Sequence, residues 1–130
     1  MFLWTAMTGW MATFLFGAGT SIPYVLKASR PAARAYGLRL RPHYWLGFLI
    51  PAISFLHAWL PMSAGRISGF DQTGLLLATA ALVVMLWQLT LGVTLRSATG
   101  VERESSRRWH FRTMVLICSL VIAHIVLNRA

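Results

Sequence analysis

The chain has 130 residues, 57% of them apolar, with twelve basic against three acidic side chains, which makes it too apolar for an ordinary soluble domain and too short for two domains. Its net charge of +9 would serve nucleic acid only if the basic residues gathered on a soluble face beside stacking aromatics. They lie between apolar runs instead, the pattern of membrane topology, so lipid is an expected partner and nucleic acid is not. The single cysteine, Cys118, excludes an intrachain disulfide and any C-x-x-C-H motif.

Residues Phe2 to Leu26 form the first apolar run. It has no basic leader and exceeds a signal peptide's apolar core, so a retained spanning helix is expected. A connector with Lys27, Arg30, Arg34, Arg39 and Arg41 and no acid follows. The second run, Pro42 to Gly65, opens on a proline suited to a first helical turn and carries Pro51 inside, where a kink and a freed carbonyl are expected. Ser63 to Gly69 is a turn-rich connector holding Arg66. The third run, Thr73 to Leu95, is uncharged. Arg96, Arg103, Arg107 and Arg108, with Glu102 and Glu104, fill the next connector before the fourth run, Trp109 to Asn128, whose one charge, Arg112, lies near its start. Each run approaches or exceeds the roughly 20 residues needed to cross a bilayer, so the expected fold is an all-α membrane protein, one domain over residues 1–130, built as a four-helix transmembrane bundle.

Ten of the twelve basic residues fall on one side of such a bundle, leaving Arg66 and Arg129 opposite. The positive-inside rule makes the basic connectors cytoplasmic and both termini periplasmic in a bacterial inner membrane. The six tryptophans read as interfacial or lipid-facing residues, and Cys118 and the methionines as packing.

The four histidines carry the chemistry. His43 and His57 are fourteen residues apart in helix 2, and His110 and His124 are fourteen apart in helix 4. Fourteen residues make nearly four turns, so each pair shares one helix face with about 21 Å of rise between its members. Helices 2 and 4 run in the same direction, which matches His43 with His110 at one depth and His57 with His124 at the other. Any one histidine alone is most simply a helix-to-helix hydrogen bond or an interfacial residue. A common offset on alternate helices is not explained that way. Two imidazoles at each depth suit the axial positions of a haem iron, whereas zinc wants three or four converging ligands at shorter spacings. Two non-covalent haems b between helices 2 and 4 are therefore expected, with His43, His110, His57 and His124 as ligands. Arg41 and Arg112 are candidates for the propionates at the cytoplasmic level, and Arg66 and Arg129 at the periplasmic level. Arg39 and Arg108 lie near the former, and Gly47, Gly9, Gly17, Gly19, Gly74 and Gly92 are small residues suited to close approach.

On His43-x13-His57 and His110-x13-His124 and the spans between them, the chain resembles the four-helix dihaem N-terminal core of cytochrome b from bc-type complexes. Cytochrome b561 proteins and ferric reductase and NADPH oxidase membrane domains are similar in principle. The resemblance implies that the four histidines are axial ligands of a transmembrane electron carrier. No flavin or nicotinamide domain and no Pro-Glu-Trp-Tyr segment accompany the motif, so the expected role is a subunit of a larger respiratory redox complex that passes electrons between partners, a dehydrogenase or another cytochrome, with quinone as a candidate partner. The alternative is a haem-bearing anchor or assembly subunit that exchanges electrons with quinone at one leaflet. A proton-coupled exporter ranks below both, because no run contains a carboxylate.

Overall fold

A computed structural model describes residues 2–29, 38–63 and 72–127 of the chain. Four helices account for nearly all of them: α1 (Phe2–Ala28), α2 (Arg41–Ser63), α3 (Gln72–Ser97) and α4 (Gly100–Leu127). A lipid-exposed backbone must satisfy its own polar groups, and helices do so within the segment. Three stretches, Arg41–Ser63, Thr73–Ser97 and Gly100–Leu127, are long and apolar enough to cross a membrane. The surface agrees with that setting. All six tryptophans are more than half exposed, up to 74% at Trp45, and so large an apolar surface belongs in lipid rather than water.

Helix α1 runs for 27 residues with no charge before Lys27, and threonines, glycines and tryptophans are spaced among its apolar residues. Several of those hydroxyls are returned to the helix itself. Thr8 donates to the Trp4 carbonyl, Thr13 to Gly9, and Thr20 and Ser21 to Gly17. Such back-bonding lowers the cost of a hydroxyl away from water.

The start of α4 differs from the sequence expectation. Its helix begins at Gly100, so Glu102, Arg103, Glu104, Arg107 and Arg108 are helical rather than part of a loop ahead of Trp109. The physical reason is local: Gly100 takes a left-handed φ of 53°, which turns the chain at once, and the charged residues after it are good helix formers. Glu104 and Arg108, one turn apart and exposed, stand 3.9 Å from each other. Only Ala98 and Thr99 separate α3 from α4, which makes these two helices a tight antiparallel hairpin. Pro51 lies buried within α2, where it cannot donate to the Gly47 carbonyl.

Packing is uneven. Helix α1 lies along α2 and α3 lies along α4, while α2 meets α3 over a smaller contact. The buried core is Ile50, Met85 and Ile117, flanked by Leu15, Phe16, Leu46, Val84 and Val121. Ile50 falls seven residues from each histidine of α2, and Ile117 seven from each histidine of α4. The core therefore sits midway between two histidine levels.

Candidate functional site: two facing histidine pairs

The register of α2 and α4 brings the four histidines together in two pairs. His43 faces His110 with ring centroids 6.3 Å apart and planes at 73°. His57 faces His124, also at 6.3 Å, with planes at 88°. The equal spacing at both levels follows from the common fourteen-residue offset on two helices of the same direction.

Each of three rings is held from behind by a helix other than its own. His43 Nδ1–H donates to the Gly19 carbonyl of α1 at 2.8 Å. His57 Nδ1–H donates to the Thr5 carbonyl of α1 at 2.9 Å, with the Thr8 hydroxyl 3.4 Å from the same nitrogen. His124 Nδ1–H donates to the Gly74 carbonyl of α3 at 3.0 Å. Thr5 and Gly19 are themselves fourteen residues apart, so α1 repeats the period of the histidines it orients. A proton fixed on Nδ1 leaves Nε2 with a bare lone pair, the state in which imidazole binds a metal.

His110 is the exception. Its Nδ1 is buried with no acceptor in full hydrogen-bond geometry. The group beside it is the backbone carbonyl of Gln88, fourteen residues after Gly74 on α3, while the Gln88 side-chain oxygen accepts from the Thr113 hydroxyl.

Glycine allows two of these approaches. A Cβ on Gly9 would stand 2.8 Å from Cε1 of His57, and one on Gly92 3.4 Å from Cε1 of His110. Gly17 and Gly47 meet nothing within 4 Å.

A cavity accompanies each pair. The one at His57 and His124 has a volume of about 490 Å³ and walls that include Trp10, Phe55 and Leu82. The one at His43 and His110 is much smaller, about 90 Å³, and its wall includes Tyr44, Gln88 and Arg96. Phe16 and Met85 line both. Neither wall contains a carboxylate. Among the described residues no three His, Cys, Asp or Glu side chains cluster, so a protein-only site with three or more such ligands is absent there.

The arginines fall out differently from the histidines. Arg96, at the end of α3, lines the smaller cavity with its guanidinium 5.3 Å from the centre of the Tyr44 ring. Arg112 is exposed, and its guanidinium lies over Trp109 of its own helix at 5.3 Å. Arg41 is exposed at the start of α2, and Arg39 and Arg108 are exposed as well. Arg66 and Arg129 lie outside the described residues. Arg96 was visible in the sequence only as one basic residue of a connector; the aromatic ring it covers belongs to another helix. The carbonyls behind the histidines carry no side-chain signal at all. Comparison of the chain with protein families, curated proteins and solved structures found no match.

Proposed function

We propose that this membrane protein carries electrons across the bilayer through two non-covalent haems b, one between His43 and His110 and one between His57 and His124. The observation that carries the reading is the 6.3 Å between ring centroids in both pairs. An imidazole nitrogen bonds a transition metal at about 2 Å and lies about 1.1 Å from its ring centre, so two imidazoles holding one ion between them would have centroids about 6.2 Å apart, close to the spacing of both pairs. Three Nδ1–H donations to backbone carbonyls supply the matching tautomer. Two ligands per level without a third suit a macrocycle that already fills the remaining positions of its metal. The mostly apolar, carboxylate-free walls at both levels, and the room beside His57 and His124, suit a large flat hydrophobic ligand.

Haem held by both histidines of a pair would supply a one-electron iron centre suited to electron transfer rather than oxygen chemistry. The chain's residues hold and tune that centre. The histidines ligate, α1 and α3 fix their orientation, and the Ile50, Met85 and Ile117 core excludes water between the levels. Arg96 places a positive charge beside the His43 and His110 level, where it can meet a propionate and favours the reduced form.

In this reading α1 is the fourth span, the membrane is a bacterial inner membrane with the basic connectors cytoplasmic, and electrons enter and leave through partner redox subunits or quinone. The two-residue connection between α3 and α4 leaves little surface there for a substrate site, which supports dependence on partners. Pyridine haemochrome analysis of purified, haem-supplied protein should give two haems b per chain with a reduced-minus-oxidised b-type spectrum. Protein that takes up no haem would sink the reading.

A further inference from the structure

We infer that the ligand clasped between the histidine pairs, rather than direct protein packing, joins two separately built halves of this molecule, the α1–α2 hairpin and the α3–α4 hairpin. The inference rests on the haem reading above and adds an architectural role for the site.

The polar bonds that orient the site run inside one hairpin or the other. His43 to Gly19 and His57 to Thr5 tie α2 to α1. His124 to Gly74 and Thr113 to Gln88 tie α4 to α3. Each hairpin thus presents two histidines already aimed outward from its own α1 or α3 scaffold, at a matching fourteen-residue spacing. Each is half of two sites.

What crosses between the hairpins is weaker. The Ser54 hydroxyl meets the Met85 sulfur at 3.7 Å, and the Arg96 guanidinium stands over Tyr44. Ile50, Met85 and Ile117 form a small apolar contact. In water, burying that core would itself hold helices together, but lipid tails are as apolar as these side chains, so the contact offers little beyond van der Waals packing. Helices α2 and α4, which carry all four histidines, share the Ile50 and Ile117 contact at mid-height, while the extensive helix contacts lie within each hairpin, α1 on α2 and α3 on α4. Above and below that contact they face each other through the two imidazole pairs. Two axial bonds at each level would then supply the strongest links across the seam.

The test uses the full chain with a protease site placed between residues 64 and 71 and a different affinity tag at each end. The protein is folded and loaded with haem in mild detergent, cut, and captured through one tag. The loaded, cut protein should bring down both halves and keep its b-type spectrum. The same chain without haem, and a His43→Ala, His57→Ala variant confirmed helical by circular dichroism, should release the uncaptured half after cutting, with at least a tenfold loss of co-capture. Haem-free halves that stay together as firmly as loaded ones would overturn the inference while leaving haem binding intact. Loaded halves that separate on cutting would overturn it too. Failure of the chain to bind any haem would instead remove the reading on which it stands.

Discussion

Gly9 is the position where a single atom decides most. A side chain there would drive its Cβ to within 2.8 Å of the His57 ring, whose Nδ1 is already committed to the Thr5 carbonyl one turn away. The ring cannot retreat without losing that bond, so Gly9→Val should cost the His57 and His124 haem and leave the other, lowering haem content from two per chain towards one. Gly17→Ala is the control, since nothing lies within 4 Å of the added methyl. It should keep both haems and stabilise the helix by about 0.5–1 kcal/mol through reduced backbone entropy. Arg96 argues a different quantity. Its positive charge lines the His43 and His110 cavity, so Arg96→Gln should lower that haem's midpoint potential by on the order of tens of millivolts and spare the other. Arg112→Gln should move neither, because its guanidinium lies over Trp109 on an exposed face. Equal shifts from both substitutions, measured by potentiometric titration, would remove Arg96 from the site.

At the scale of elements, the histidine periods were legible because a helix converts sequence spacing directly into position, and fourteen residues leave little angular drift. The apolar runs of α2 and α3 were legible for the same reason, since membrane length and composition mark themselves. The onset of α4 was not. Glu102 to Arg108 look like a hydrated connector by charge, yet they have high helix propensity, and Gly100 makes the turn before them. Nor could the sequence show that α1 supplies carbonyls to both histidines of α2, since a backbone acceptor has the same chemistry at every residue. That role bears on whether α1 crosses the bilayer. Its partners Gly19 and Thr5 lie opposite His43 and His57, at the two levels of α2, a helix long enough to span, and this pairing supports the proposal that α1 is a fourth span. Reporter tags at the two ends of the chain should therefore report the same side of the membrane. Opposite sides would mean three spans, with α1 excluded from the bilayer.

Across the whole molecule, the two levels share their ligand spacing but not their room. The His57 and His124 level opens on about 490 Å³, while the His43 and His110 level has about 90 Å³ between equally spaced rings. Pockets for drug-sized ligands run to roughly 300–1,000 Å³, a range that the first level falls within and the second falls below, so on the haem reading the second is the tighter fit. A porphyrin there would have to part a lining that includes Arg96 over Tyr44, with Gln88 and Leu89 of α3. Such movement has a free-energy cost that the wider level does not bear, and binding there is weakened accordingly. Haem added below one equivalent should thus collect between His57 and His124 first. The singly loaded chain would then have the spectrum and midpoint potential of the His43→Ala variant, which retains the wider level alone. A first equivalent whose signature matched the His57→Ala variant would show the opposite order, and with it that the narrow level opens more readily than its walls imply.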